Sequence, residues 1–115
     1  MSSKSFKTVT QDLSKGLAQF RAQVPDVQAG FSALHQASMK AGALDAKTKE
    51  LIALGIGVAA RCDGCIGFHV QALIKLGCTK EELAEMLGVA VMMGGGPSLM
   101  YAGETMRAFD EFSAS

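Results

Sequence analysis

Aromatic residues are scarce in this chain, 6% of the total against 49% hydrophobic residues overall, so the core has to be built from Ala, Leu, Val, Ile and Met at short range. That composition favours helices. Charge of one sign is also missing. Eleven Lys and Arg balance eleven Asp and Glu to a formal net charge of zero, with no block of either sign, which excludes the electrostatic footprint of a nucleic-acid-binding protein. No apolar run is long enough for a membrane span: the longest, Leu51 to Ala60, is about half of the roughly 20 residues needed to cross a bilayer. It reads as a buried helix, and no membrane partner is expected. The opening stretch from Met1 to Gly16 lacks the apolar core of a secretory signal, so a cytoplasmic protein is expected. Cysteines number three, odd and too few for a disulfide framework. In a reducing compartment a C-x-x-C pair points to catalysis or metal binding rather than to stapling.

What the chain does have is helical periodicity from end to end. With 115 residues it is long enough for one core and not for two, so a single domain over residues 1–115 is expected. The high apolar content of so small a body predicts that part of its surface is covered by other copies, a homo-oligomer. Lys7 to Val24 places Leu13, Leu17 and Phe20 at helical spacing before Pro25. Asp26 is the expected cap of a second helix with Val27, Phe31 and Leu34 on one face, stopping at Gly42. Asp45 caps a third, Ala46 to about Ala60, apolar nearly all round and so buried on most sides. A fourth restarts at Asp63 or Gly64 and runs to Leu76, with Gly77 as its stop. Thr79 and Glu82 form a Thr-x-x-Glu capping box for the fifth. Gly94 to Pro97 break the pattern, and Leu99 to Phe112 resume it. The reading is all-α, a helical bundle of five to six helices.

The string Arg61-Cys62-Asp63-Gly64-Cys65-Ile66-Gly67-Phe68-His69 is where chemically competent side chains cluster. Residues three and four apart share a helix face, which sets Cys62 beside Cys65 and Cys65 beside His69. Both sulfurs fall near the unpaired amides and positive end of a helix start, which favour thiolate over thiol. Cys65, inside the first turn and with His69 as proton acceptor, is the expected attacking sulfur, and Cys62 the resolving one. The cycle would begin with attack on a hydroperoxide or disulfide, pass through a sulfenic acid or mixed disulfide at Cys65, and close to a Cys62–Cys65 disulfide that an external thiol reductant reopens. Glu50 is the candidate to orient His69, if the third and fourth helices fold back on one another. In a straight hairpin it stands five residues further from the turn, an offset of roughly 7 to 8 Å.

The spacing Glu50, eleven residues, Cys62, two residues, Cys65, three residues, His69 resembles the alkylhydroperoxidase D-like branch of the carboxymuconolactone decarboxylase family. The likeness runs from about Lys47 through the helix after Thr79 and the Gly-rich break. It implies an all-helical fold assembling as trimers or hexamers, Cys65 as the sulfenic-acid cysteine, Cys62 as its proton donor and resolving partner, and Glu50 with His69 as a proton relay. The resemblance also implies a peroxidase of antioxidant defence that needs no cofactor. One position departs from the pattern: the better-known peroxidase members carry a second histidine where this chain has Gly64. Members acting as decarboxylases share the fold but generally lack the cysteine pair, so a lactone decarboxylase and a non-catalytic redox-sensing oligomer stand as alternatives.

Blander readings apply to the other polar residues. A zinc site from Cys62, Cys65, His69 and Cys78 has suitable ligand types, but Cys78 is nine residues beyond His69, about 13 Å along a helix. Haem attachment fails because Ile66, not His, follows Cys65. Cys78 reads as a small buried hydrophobe, His35 and Tyr101 as packing residues, and the methionines as fillers between helices and protomers.

Overall fold

The structure is a computed structural model that describes residues 4–114. Six helices account for nearly all of them: α1 (Phe6–Gln23), α2 (Pro25–Met39), α3 (Ala46–Ala59), α4 (Asp63–Lys75), α5 (Lys80–Gly94) and α6 (Gly96–Ser113). Local chemistry explains most boundaries. Ser5 caps α1 by accepting the Thr8 amide, Asp45 caps α3 by accepting the Thr48 amide at 2.7 Å, and Thr79 with Glu82 closes the reciprocal capping box on α5. Two boundaries differ from expectation. Pro25 opens α2 and Asp26 lies in its first turn without capping it, because proline's fixed φ suits the first helical position and Val24 takes the cap place. The glycine break is narrower than its four residues suggest: Gly94 ends α5, Gly96 and Pro97 begin α6, and Gly95 alone, at φ 75°, makes the corner.

The core is formed by Leu54 and Val58 of α3, Ile66, Val70 and Leu73 of α4, Leu83 and Leu87 of α5, Ala102 and Ala108 of α6, and Phe6 at the start of α1. Against it α4 is the central element, touching α1, α3 and α6. The third helix is less buried than its apolar sequence predicts: Ile52 and Ile56 are 48% and 65% exposed. They face a groove of about 420 Å³ between α3 and α5, also lined by Leu51, Met86, Val89 and Met93. The second helix buries no residue at all, and its apolar face of Val27, Phe31 and Leu34 is open. Both faces are apolar and uncovered within one chain, and helical periodicity cannot tell burial against one's own chain from burial against a copy. No helix among the described residues is long and apolar enough to cross a membrane.

Candidate functional site

The turn between α3 and α4 has almost no length. Past the end of α3, Arg61 adopts a left-handed φ of 59°, its amide donates to Val58 O at 3.1 Å, and the amide of Cys62 donates to Gly57 O at 3.0 Å. This is the paired hydrogen-bond arrangement that terminates helices, normally built on glycine. Arg61 offsets the cost of the left-handed backbone with its own guanidinium, whose Nη1 donates to Val58 O, Ala59 O and Ser98 Oγ. Cys62 is therefore the residue that closes α3 and, at the same time, the N-cap of α4.

As N-cap, Cys62 turns its sulfur onto the helix: the amide of Cys65 donates to Cys62 Sγ at 3.1 Å. The two sulfurs are thus unequal in their contacts, and the helix start does not favour the Cys65 thiolate as the sequence suggests. The free amide of the helix start goes to Cys62, while the Cys65 thiol is pushed up to about 11, first by burial, then by hydrogen bonding and charge from Cys62. Both thiols are free and part-exposed. Close packing holds Cys65 in place, since a Cβ built on Gly57 of α3 would stand 2.9 Å from Cys65 Cβ. Only glycine at 57 lets α3 and α4 approach this closely.

That approach also brings the expected proton-handling pair together. His69 Nδ1 lies 2.7 Å from Glu50 Oε2, with Glu50 only 7% exposed. The helix crossing and the reach of the two side chains close the offset that a straight hairpin would leave. A carboxylate can only accept, so in the contact with Glu50 it is His69 Nδ1 that donates, and Nε2 is the ring nitrogen turned away from Glu50. His69 is one helical turn beyond Cys65.

Position 64, where the better-known peroxidases carry a histidine, is spoken for. A Cβ on Gly64 would stand 2.5 Å from Leu13 Cδ1, and one on Gly67 would stand 2.5 Å from Thr10 Cγ2. The two glycines form a step along α4 into which α1 packs, running antiparallel and continuing past the start of α4. Leu17 and Phe20, one and two turns beyond Leu13, are half exposed there.

The remaining sequence candidates sit elsewhere. Cys78 lies past the C-terminus of α4, buried, with its thiol donating to Thr79 O at 3.4 Å, so the zinc set is not assembled. His35 is exposed on α2 and not packed, a consequence of α2 having no buried face. Tyr101 is half-buried on α6 with two cations over its ring, Lys4 and Arg61, each 5.5 Å from the centroid. Lys4 and Asp63 are neighbours of the site that sequence reasoning passed over. Lys4 donates to both carboxylate oxygens of Asp63 at 2.9 Å, and nothing in a chain separation of 59 residues signals the pair.

The sequence pattern of the carboxymuconolactone decarboxylase family matches residues 25–110. An uncharacterized protein of Cupriavidus necator is 34% identical over 113 residues, covering 92% of this chain and 100% of that one. Among solved structures, a carboxymuconolactone decarboxylase family protein from Legionella pneumophila superposes with a TM-score of 0.92 at 59% identity, covering 94% of this chain and 96% of that chain. A Thermotoga maritima protein of the same family, for which a part in an antioxidative response has been suggested, gives a TM-score of 0.81 at 27% identity over 91% and 90% of the two chains.

Proposed function

Since the chain belongs to the carboxymuconolactone decarboxylase family, we propose that it is a thiol-dependent hydroperoxidase or disulfide reductase of antioxidant defence, working through Cys62 and Cys65. The observation that carries this reading is the 2.7 Å contact of Glu50 on α3 with His69 on α4, the helix that Cys62 caps and whose first turn holds Cys65. Cys65 attacks and Cys62 resolves. Because the Cys65 thiol is pushed up to about 11, it must lose its proton on the way to attack. In this reading Cys62 Sγ and His69 Nε2, with Glu50 behind the ring, are the acceptors.

The Cys65 thiolate then attacks one oxygen of the hydroperoxide. The S–O bond forms as the O–O bond breaks, and the leaving alkoxide collects a proton to depart as alcohol. Cys62 attacks the sulfenic sulfur, forming the disulfide and releasing water, and an external dithiol returns two electrons and two protons. With a disulfide as substrate, the same sulfur forms a mixed disulfide that Cys62 resolves. Oligomerisation belongs to the same reading: the open face of α2 and the groove between α3 and α5 are surfaces for further copies, as a trimer or hexamer, in a cytoplasmic protein.

One equivalent of organic hydroperoxide, followed by a count of free thiols, tests this. Wild type should lose two thiols, and Cys65→Ser should lose none while leaving the peroxide unconsumed. Peroxide consumption by Cys65→Ser at the wild-type rate would sink the mechanism. A second reading has one specific observation in its favour. The Glu50–His69 pair is fully formed while Cys65 is held as a thiol, as suits a lactone decarboxylase working by acid–base chemistry. Turnover of a carboxylactone that survives loss of both cysteines would establish it instead.

A further inference from the structure

Charged side chains flank Cys62 on both sides, and the proposed chemistry uses neither. Arg61 before it is committed to Val58 O, Ala59 O and Ser98 Oγ. Asp63 after it opens α4 and is met by the chain's own N-terminal segment. On the strength of the redox reading of the cysteine pair, we infer that Lys4 is a positioning residue for Cys62. It holds and neutralises the Asp63 carboxylate, the charge next along the chain from the sulfur that caps α4, and so sets how readily that sulfur reacts.

The geometry around Lys4 is specific. Its ammonium donates to both oxygens of Asp63 at 2.9 Å and stands 3.6 Å from Glu104 Oε2. It lies 5.6 Å from the ring centroid of Phe6 and 5.5 Å from that of Tyr101. The backbone of the segment is tied down as well: Arg107 Nη2 donates to Lys4 O at 3.2 Å, and Glu111 accepts the Ser5 hydroxyl and the amides of Phe6 and Lys7. Residues 4–7 thus form a strap from α6 to the first turn of α4. The charged and titratable groups around Lys4 are Asp63 of α4 and Glu104 and Tyr101 of α6, with Arg107 donating to Glu104 and to Lys4 O and Arg61 over the same Tyr101 ring.

A carboxylate one residue from a sulfur disfavours the thiolate, and an ammonium on that carboxylate cancels the effect. Removing the ammonium and removing the carboxylate must therefore act in opposite directions. Iodoacetamide alkylation of Cys62 in the intact reduced protein, near neutral pH and at low salt, reads this by peptide mass. It involves no peroxide or disulfide turnover, so its result stands apart from whether the proposed reaction runs. Lys4→Met should slow alkylation of Cys62 about three-fold and Asp63→Asn should speed it by a similar factor. Lys4→Arg and the double variant Lys4→Met/Asp63→Asn should restore the wild-type rate. Salt at about 0.5 M should collapse the differences. If Lys4→Met and Asp63→Asn shift the rate in the same direction, the strap acts only by holding the turn, and the inference is overturned. Unchanged rates in both overturn it equally.

Discussion

Cys62 gives its sulfur to the backbone amide of Cys65 at 3.1 Å, so one member of the pair caps the helix that carries the other. The Cys65 thiol, pushed up to about 11 by burial and by Cys62, is the sulfur that the proposed reaction has to deprotonate. Alkylation of Cys65 in the reduced protein should rise about tenfold per pH unit, as thiolate fraction does, and level off near pH 11. Cys62→Ala removes the hydrogen bond and charge of its neighbour but not the burial, and should bring the midpoint down toward the ordinary 9.0. A midpoint indifferent to Cys62 would show that burial alone is responsible. The sign for stability follows the same shift. The folded state prefers the neutral thiol, so this contribution is complete below pH 9.0 and is lost as pH rises toward about 11.

Glu50→Gln keeps the shape of the buried side chain but can no longer fix the histidine as a carboxylate does. Peroxide-dependent turnover should fall by about two orders of magnitude, in the range expected for loss of positioned proton transfer. His69→Asn should fall comparably, and the double variant should fall little further, because the two act as a unit. Additive losses in kcat would argue against a shared relay.

Gly64→Ala should destabilise the fold by about 1–3 kcal/mol, the usual cost of overpacking, since the new methyl meets Leu13 Cδ1. Thermal or urea unfolding checks this. Leu13→Ala in the same chain should recover part of the loss, whereas a glycine kept for backbone reasons would show no such rescue. A histidine at 64 would demand a larger retreat of α1.

Glu111 is held below its ordinary 4.5: burial would raise it, and hydrogen bonds from Ser5, Phe6 and Lys7 outweigh that. Glu104 is likewise lowered, chiefly by Arg107. A lowered carboxyl stabilises the fold above its unfolded value and loses that contribution as pH falls. Amide hydrogen exchange at Phe6 and Lys7 should therefore accelerate first below pH 4.5, ahead of the core amides of α4. Simultaneous release of both would mean that the strap does not titrate separately.

The proposed assembly makes its own demand. Phe31→Glu, on the open face of α2 where the side chain is 63% exposed, should be neutral for a monomer. In an oligomer that buries this face it should lower the sedimenting mass. An unchanged mass would place the contacts elsewhere.

Helix identity and most boundaries were legible because they are set by neighbours in sequence: Asp45 to Thr48, Thr79 to Glu82, Gly77 after α4. The Cys62, Cys65 and His69 grouping was legible for the same reason, being three and four residues apart on one helix. Glu50 could be named, but its meeting with His69 depends on how α3 crosses α4, which Gly57 permits and spacing alone does not state. The Cys65 amide on Cys62 Sγ and the raised Cys65 thiol were not legible, because a cysteine at a cap can turn back onto the helix, a rotamer choice that spacing does not encode. Leu13 over Gly64 and Lys4 on Asp63 are tertiary meetings across long separations, with no local signature. The exposure of Ile56 escaped because hydrophobicity states that a face will be covered without saying by which chain.

The turn at Arg61 and Cys62 also makes the site a matter of phase. With one residue ending α3 and beginning α4, there is no slack in which an added residue could be absorbed. A single insertion there would rotate α4 by about 100° and advance it by about 1.5 Å, carrying His69 off Glu50 and Cys65 off Gly57 in the same motion. Changes to the side chains between the two cysteines cost what their contacts with Leu13 and Lys4 set, whereas a change in the count of residues from Gly57 to His69 undoes the corner outright. Chain length across this corner, as much as the identity of any side chain, is what keeps Glu50 on His69 and Cys65 against Gly57.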